Sequence, residues 1–305
     1  MSAPREPGHP AADPRDALVG RLRAAGCVFA EEEADLLVAE ADDRHPTDDA
    51  GARSAELERM TTARVAGEPL ETVLGWAAFA GRRIVVRPGV FVPRRRTERL
   101  AGVAVARARA VPRPVVVDLC CGSGAIGAVI VDDVPGVELH AADVDPRAVA
   151  CAAENLVPRG AAVHQGDLMA ALPGELRGRI DVLVANVPYV PRAGLALMPP
   201  EARLHEPAAT RDGGEDGLDV LRRAAVEGGA WLAPGGVLLM EVSDRQVPAA
   251  VDALRAAGLD AGTEESEGDR DRAGAVSAAG GAQGDEDEDE GDDDGTVVVC
   301  GRHAV

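Results

Sequence analysis

The feature that most constrains the fold is a glycine-rich turn that follows an apolar run. Residues 115–127 read Val-Val-Val-Asp-Leu-Cys-Cys-Gly-Ser-Gly-Ala-Ile-Gly and continue into a segment of helical composition. The apolar run is typical of a buried strand in a parallel sheet, and the glycines allow a tight turn that a ligand can approach closely. Strand, turn and helix together predict an α/β fold with a ligand site at the carboxyl edge of its sheet.

Acidic residues in and after the predicted strands indicate which ligand this edge binds. Asp118 lies four residues before the first glycine, where a carboxylate repels a pyrophosphate but attracts the ammonium group of a methionine moiety. Asp143 ends a second apolar segment 19 residues after Gly124 and suits a ribose diol, and Asp167 ends a third and suits an adenine amine. Each of the two later acids alone is equally well a helix cap or a turn residue, but three acids in register favour S-adenosylmethionine (SAM) over NAD.

A second candidate site follows the next apolar run, residues 181–185, which ends in Asn186-Val187-Pro188-Tyr189. The side-chain carbonyl of Asn186 and the backbone carbonyl of Val187, held outward by the proline that follows, are two convergent acceptors for a planar NH2 group. Tyr189 is the one tyrosine of the chain and can cover the plane of that group. The motif predicts a site for an amide or aromatic amine, although a strand followed by an ordinary turn has the same residue types.

With these residues in place, the chain resembles the HemK-like protein-(glutamine-N5) methyltransferases. These are SAM-dependent enzymes that methylate the glutamine of a Gly-Gly-Gln motif in peptide-chain release factors. The resemblance covers roughly residues 67–262 and the last predicted strand, and it implies a Rossmann-like, seven-stranded, mostly parallel sheet with a small N-terminal helical domain. Besides the two motifs above, it rests on Glu68-Pro-Leu with Gly75, Phe91–Glu98, Glu206-Pro-Ala, Asp212–Asp219 and Leu232–Glu241.

The resemblance also implies a role for each candidate residue. Its cofactor-binding set consists of Asp118, Gly122, Gly124, Asp143, Asp167, Leu168 and Asn186. Within this set the turn lines the methionine end of SAM, Asp143 the ribose, and Asp167 with Leu168 the adenine. Its catalytic set, which holds the acceptor amide, consists of Asn186, Val187, Pro188 and Tyr189. Methyl transfer from a sulfonium needs an aligned nucleophile, so we predict no metal.

The chain departs from the family pattern at two places. Val187 replaces the first proline of the usual Asn-Pro-Pro-Tyr motif, and Arg95-Arg96 stands where the family usually has Pro-Asp. Valine keeps the carbonyl acceptor but frees φ, so the loop loses preorganisation and keeps its acceptor geometry. We therefore expect methyltransferase activity in a divergent branch of the family. The arginine run 94–96 either faces the substrate or forms a solvated turn.

Four regions are predicted along the chain: a disordered tail at 1–14, a helical substrate-recognition domain at 15–80, a hairpin linker at 81–95 and a SAM-binding catalytic domain at 96–305. Three segments with helical spacing, at 16–25, 31–40 and 52–66, support the second region. A purely structural helical cap has the same pattern. The hairpin is predicted from apolar residues at 82–87 and 90–92, on either side of Pro-Gly.

The net charge of −20 is concentrated in one segment. Residues 264–294 hold 14 acidic residues and two arginines, so the rest of the chain is only mildly acidic. A segment with so little apolar surface is predicted to be a disordered insertion at a hairpin tip, before a last strand at Thr296–Cys300. It is either a tolerated insertion or a docking segment for a basic partner.

The remaining composition predicts a cytoplasmic protein that does not enter a membrane. No apolar run approaches the roughly 18 residues of a spanning helix, and no signal peptide opens the chain. The five cysteines have neither metal-ligand spacing nor the density of a disulfide scaffold.

Three hypotheses of function remain at this stage, in descending order. The first is a SAM-dependent methyltransferase of a protein glutamine, with a release factor as the expected partner. The second is a methyltransferase of an exocyclic amine on a nucleic-acid base, because a flipped base also presents an NH2 group to be held and stacked. A mildly acidic body is a poor polyanion binder, which weighs against it. The third is an NAD-dependent oxidoreductase or a non-catalytic SAM-binding protein.

Overall fold

The computed structural model describes residues 14–46, 49–198, 207, 210–264 and 295–304. The chain divides into two compact units, Met1–Gly75 and Trp76–Val305. Of the predicted regions, the tail at 1–13 and nearly all of the acidic insertion, residues 265–294, lie outside the described residues, as do Glu206 and Ala208 of one family-like segment.

The first unit is helical, as the three segments with helical spacing predict. Its helices are α1 (Pro14–Ala24), α2 (Ala30–Arg44), α3 (Ala50–Val65) and α4 (Leu70–Leu74). Leu22, Leu37 and Met60 are fully buried, one from each of the first three helices. The guanidinium of Arg64 donates to the carboxylate of Glu33 at 2.6 Å, which pairs two charges inside this small core.

The second unit contains a seven-stranded sheet, which confirms the predicted fold class. In space the strands follow the order β5-β4-β3-β6-β7-β9-β8. All neighbours are parallel except β9, which is antiparallel to both β7 and β8. The strands are β3 (Val115–Leu119), β4 (Glu138–Asp143), β5 (Ala162–Gln165), β6 (Ile180–Ala185), β7 (Leu232–Ser243), β8 (Asp260–Glu264) and β9 (Thr296–Arg302).

Helices cover both faces of this sheet, and this explains why its central strands carry apolar residues on both faces. Val116 of β3 packs in the core on one face, whereas Val115 and Val117 pack in the core on the other. Buried residues of α5 (Glu98–Arg109), α6 (Ala125–Asp133) and α7 (Pro146–Leu156) belong to the first core. Buried residues of α8 (Asp219–Gly229) and α9 (Val247–Ala256) belong to the second. Strands buried on both faces need no alternation of polar and apolar residues.

The predicted position of the hairpin is wrong. The paired strands are β1 (Trp76–Phe79) and β2 (Arg82–Val85), whereas residues 90–92 form no strand. The turn is Ala80-Gly81, where both residues have positive φ, and such two-residue turns match the twist of antiparallel strands. An alanine at the first turn position hides this signal, and Pro88-Gly89 looks more like a turn in the sequence. The hairpin thus begins before residue 81 and belongs to the second unit.

The last two strands show where the acidic insertion is attached. β8 ends at Glu264, β9 begins at Thr296, and Glu264 faces Val298 in the antiparallel register. The insertion therefore connects the two strands of a hairpin, as predicted. Within the described residues no helix is long and apolar enough to cross a membrane.

Candidate active site

The turn between β3 and α6 forms one half of the site, and a buried carboxylate lies beneath it. Asp118 is 1% exposed, and its Oδ2 accepts a hydrogen bond from the backbone N–H of Gly127 at 2.8 Å. Its Oδ1 is buried without a hydrogen-bond partner among the described residues. Burial raises the pKa of Asp118 to about 8, against the opposing hydrogen bond from Gly127 and with a contribution from the charge of Asp143.

The three predicted acids converge on this turn. Burial raises the pKa of the Cys120 thiol, and the charges of Asp143, Asp118 and Asp167 raise it further in that order. A site with this negative field repels a pyrophosphate and attracts a cation. SAM carries positive charge on its sulfonium and ammonium groups, so the unsatisfied Oδ1 of Asp118 and the surrounding acids fit SAM and do not fit NAD.

Asp143 connects the end of β4 to the glycine turn. Its Oδ2 accepts from the backbone N–H of Gly122 at 2.9 Å, and its Oδ1 accepts from the N–H of Asp145 at 2.9 Å. Burial raises the pKa of Asp143, although these N–H donors oppose the rise. Each carboxylate oxygen accepts more than one hydrogen bond, so Asp143 retains acceptor capacity for a diol.

Asp167 and Leu168 follow β5 at the same edge. The side chain of Asp167 is 59% exposed, and its Oδ2 accepts from the Arg223 guanidinium at 2.8 Å. Leu168 is 5% exposed and has a φ of 47°. A positive φ is strained for leucine, and the surrounding core holds it there. Asp167 thus forms a surface ion pair, while the Leu168 side chain packs into the core.

The glycines of the turn differ in what surrounds them. Gly122 has a φ of 54°, and a Cβ built on it meets nothing within 4 Å. Gly124 has a φ of 76°, and its Cβ would lie 2.8 Å from Cδ1 of Leu156. Gly122 therefore borders open space that a ligand can occupy, whereas Gly124 allows close packing of the turn against α7.

The second half of the site, which we call the acceptor corner, comprises Thr97, Asn186–Tyr189 and Glu241. In the sheet register Ala185 of β6 pairs with Leu119 of β3 and with Met240 of β7. Asn186 and Glu241 are the next residues of their strands, so they are neighbours at the carboxyl edge. Thr97, which is 3% exposed, contributes its side chain from the start of α5.

The side-chain amide of Asn186 is oriented by Thr97. Its Nδ2 donates to the Thr97 hydroxyl at 3.2 Å, so the NH2 side of Asn186 faces Thr97 and its carbonyl faces away. The same hydroxyl acts to lower the pKa of the Glu241 carboxyl group. Val187 is 2% exposed and packs in the core.

Tyr189 is held by the same carboxylate. Its hydroxyl donates to Oε1 of Glu241 at 3.1 Å, and burial with the charge of Glu241 raises the pKa of Tyr189. Glu241 is 2% exposed, and its own pKa is raised by burial, against hydrogen bonds from Thr97 and Tyr189 and the charge of Arg96. The Arg96 guanidinium carbon lies 6.0 Å from the Tyr189 ring centroid, and Nε lies 3.8 Å from Oε1 of Glu241.

A glycine-rich loop supports the acceptor corner from behind. A Cβ on Gly213 would lie 2.7 Å from the carbonyl oxygen of Pro188, and one on Gly217 would lie 2.3 Å from that of Tyr189. The side-chain amide of Gln246 donates to the carbonyl oxygens of Tyr189, at 2.8 Å, and of Asp216, at 3.0 Å. The family-like segment Asp212–Asp219 therefore contains glycines because the backbone of 188–189 leaves no room for side chains.

Three residues of the site, Thr97, Glu241 and Gln246, had no role predicted from the sequence. Glu241 interrupts the apolar run Val237–Val242, and an acid inside a buried strand is the signal that could have pointed to it. Thr97 and Gln246 carry no such signal, since their role depends on contacts between segments far apart in the chain.

Comparisons with known proteins agree with this geometry. Residues 82–198 match the Methyltransferase small domain family. The chain is 40% identical over 185 residues to the release factor glutamine methyltransferase of Streptomyces coelicolor, a match that covers 60% of this chain and 66% of that protein. It is 35% identical over 264 residues to the protein of the same name from Cereibacter sphaeroides, covering 82% of this chain and 91% of that protein.

A relative with a different substrate matches equally well. The 4-amino-L-phenylalanine/4-methylamino-L-phenylalanine methyltransferase of Streptomyces pristinaespiralis is 35% identical over 254 residues, covering 80% of this chain and 86% of that protein. All three relatives are methyltransferases, so these comparisons do not favour an oxidoreductase or a non-catalytic binding protein.

Proposed function

The chain belongs to the HemK-like family of SAM-dependent methyltransferases, and from this premise we propose that it methylates the side-chain amide of a glutamine in a protein. The acceptor is, by this proposal, a peptide-chain release factor or a protein with a similar exposed glutamine. The helical unit recognises that protein, and the reaction takes place in the cytoplasm.

The observation that carries the proposal is the orientation of Asn186. Its NH2 group donates to Thr97, so its carbonyl oxygen is the atom left to accept from a ligand at the carboxyl edge of the sheet. A primary amide has two N–H donors, and the backbone carbonyl of Val187 is the second acceptor. Tyr189 follows in the chain and lies against Arg96, so an aromatic face borders the corner.

Asn186 and Val187 would act on the nucleophile, which is the nitrogen of the acceptor amide. When bound, SAM supplies an electrophilic methyl group on a sulfonium. An amide nitrogen is a poor nucleophile because its lone pair is delocalised into the carbonyl group. Two acceptors on its hydrogens increase the electron density on nitrogen and favour a pyramidal geometry as the new bond forms. Each such contact is worth about 2.7–4 kcal/mol when it strengthens in the transition state.

A second candidate acceptor is the aromatic amine of a free amino acid. Such an amine also presents a planar NH2 group, and the Streptomyces pristinaespiralis relative acts on one. Arg96 favours this candidate, because a free amino acid carries a carboxylate and the family pattern usually has an aspartate at this position. The guanidinium of Arg96 lies beside Tyr189 and is partly exposed, with 33% of its side chain accessible. Methylation of a nucleic-acid base has no comparable support.

The experiment that separates these functions uses the full chain and SAM labelled on its methyl group. The acceptors are a Gly-Gly-Gln peptide, a matched Gly-Gly-Glu peptide that lacks the amide, and free 4-aminophenylalanine. We expect label on the glutamine peptide and none on the glutamate peptide, with mass spectrometry placing the methyl group on the glutamine side chain. Label on 4-aminophenylalanine alone would establish the second candidate, and label on none of the three acceptors would refute both.

A further inference from the structure

One buried carboxylate holds a side chain of the acceptor corner. Glu241 does not border the open edge of the sheet, since it is 2% exposed and its two neighbours in β7, Met240 and Val242, are both fully buried. Its Oε1 nonetheless accepts from the hydroxyl of Tyr189 at 3.1 Å. Packing of a strand alone does not require a buried acid with a hydroxyl donor and a nearby arginine.

The hydroxyl of Thr97 holds the other side chain. Nδ2 of Asn186 donates to this hydroxyl at 3.2 Å, and Thr97 is itself 3% exposed. Without the hydroxyl, the NH2 group of Asn186 would lose this acceptor, and the amide could flip. The flipped amide would present NH2 to the acceptor in place of its carbonyl, and two NH2 groups repel each other.

We infer that Glu241 and Thr97 are positioning residues of the acceptor corner: Glu241 holds Tyr189, and the hydroxyl of Thr97 holds Asn186. Arg96 lies 3.8 Å from the carboxylate oxygen that accepts from Tyr189 and helps to keep Glu241 ionised. The inference rests on the proposed function, because it takes Asn186 and Tyr189 to hold the acceptor. It adds two residues, Thr97 directly before α5 and Glu241 in β7, whose effect on catalysis passes through others.

Three variants test this inference against a purely structural role. Thr97→Val keeps the shape of the side chain and removes the hydroxyl, Thr97→Ser keeps the hydroxyl, and Glu241→Gln removes the charge. We expect Thr97→Val to slow single-turnover methyl transfer at saturating SAM by about 10- to 100-fold, the scale of a misoriented reactant, while SAM affinity stays within a few-fold of the wild type. Thr97→Ser should transfer at close to the wild-type rate.

The chain's one tyrosine gives a second readout that needs no acceptor. Tyrosine labelled with carbon-13 at the ring carbon that carries the hydroxyl gives one NMR signal, and it reports the hydrogen bond between Tyr189 and Glu241. We expect Glu241→Gln to shift this signal in the folded protein and to slow transfer, because Tyr189 loses its carboxylate partner. We expect Thr97→Val to leave the signal in place, since Tyr189 contacts Glu241 directly.

Several outcomes would overturn the inference: a wild-type transfer rate in Thr97→Val, an equal loss in Thr97→Ser, or an unchanged tyrosine signal in folded Glu241→Gln. Failure of the proposed function is recognised separately, because the wild-type protein would then methylate none of the tested acceptors. In that case the tyrosine signal still decides whether Glu241 holds Tyr189, and an unchanged signal would reject the inference.

Discussion

Two buried carboxylates, one beneath the cofactor turn and one behind the acceptor corner, meet the cost of burial in opposite ways. Asp118 accepts one hydrogen bond from the backbone and leaves its other oxygen unsatisfied among the described residues, whereas Glu241 accepts from the hydroxyl of Tyr189 and lies near an arginine. Burial raises the pKa of both. One oxygen of Asp118 therefore lacks a partner until a cationic ligand binds, whereas Glu241 already has its partner within the protein.

This difference indicates how the two halves of the site divide their work. The positive charge of SAM should interact with the carboxylate beneath the cofactor turn, so SAM binding and ionisation of Asp118 should be coupled. The acceptor corner instead orients its own side chains, because its carboxylate holds the hydroxyl of Tyr189. Changes in the first half should therefore affect cofactor affinity, and changes in the second should affect the rate of transfer.

The largest effect is expected in the acceptor corner. Asn186→Ala removes the carbonyl that accepts from the acceptor nitrogen, and it should lower single-turnover transfer by about 10²- to 10³-fold. SAM affinity, measured by calorimetry, should stay within a few-fold of the wild type. Val187→Pro is the matched control: it restores the usual family motif, keeps the carbonyl and should leave the rate nearly unchanged. Equal rates in wild type and Asn186→Ala would mean that this corner is an ordinary turn.

A smaller effect, on affinity, is expected in the cofactor turn. Asp143→Ala removes the predicted acceptor for the ribose diol together with the hydrogen bond to the N–H of Gly122. Loss of charged hydrogen bonds of about 1.5–3 kcal/mol each should weaken SAM binding by roughly 10²-fold in calorimetry. If Asp143→Ala binds SAM as tightly as the wild type, Asp143 does not hold the ribose, and NAD binding by the wild type without SAM binding would overturn the choice of cofactor.

The unsatisfied acid predicts a pH dependence of stability. The pKa of Asp118 rises from 3.8 in the unfolded chain to about 8 in the folded protein, so between these pH values only the folded state keeps the proton. Stability of the ligand-free protein should therefore fall as pH rises through this window, by at most about 1.4 kcal/mol per pH unit from this group. Asp118→Asn has no proton to lose, so denaturant unfolding of this variant should lack that part of the slope.

Bound SAM gives a second test of the same pH dependence of stability. A cation beside Asp118 favours the ionised carboxylate, so saturating SAM should flatten the slope of the wild type and leave that of Asp118→Asn unchanged. Parallel pH profiles for the two ligand-free proteins would show that Asp118 is ionised in the folded state without any ligand.

Almost no effect is expected from the acidic insertion. Glu264 and Val298 face each other across the β8–β9 hairpin, so a short Gly-Ser turn can replace residues 266–294. This deletion should leave cooperative unfolding and SAM affinity close to those of the wild type, as judged by circular dichroism and calorimetry. Loss of cooperative unfolding would show that the insertion contributes to the fold, and both halves of the site would then depend on it.

The two halves also differ in how much of them the sequence could reveal. The cofactor turn is local: strand, acid and glycines lie within one short stretch, and Asp143 is the last residue of β4. The class of the sheet was predictable for the same reason, because the central strands β3 and β6 are short, mostly apolar segments. The misplaced hairpin shows the limit, since its turn uses an alanine at positive φ that no residue type announces.

The acceptor corner is not local, and only part of it was predictable. Asn186 and Tyr189 stand out because they end a strand, but Thr97 and Glu241 come from segments that lie 89 residues before Asn186 and 52 residues after Tyr189. Their contacts depend on the order β3-β6-β7 and on where α5 begins, and neither follows from residue spacing. Sequence patterns locate the residues that face a ligand more readily than the residues that orient them.

By our proposal, one half of the site binds SAM and the other half holds the acceptor. The double variant Asp143→Ala/Asn186→Ala tests this division through SAM affinity and single-turnover transfer at saturating SAM, both measured on the same protein. We expect it to combine the weak SAM affinity of Asp143→Ala with the slow transfer of Asn186→Ala, because losses at independent sites add. The two halves do not divide in this way if Asp143→Ala alone, saturated with SAM, transfers as slowly as Asn186→Ala, or if Asn186→Ala alone loses as much SAM affinity as Asp143→Ala.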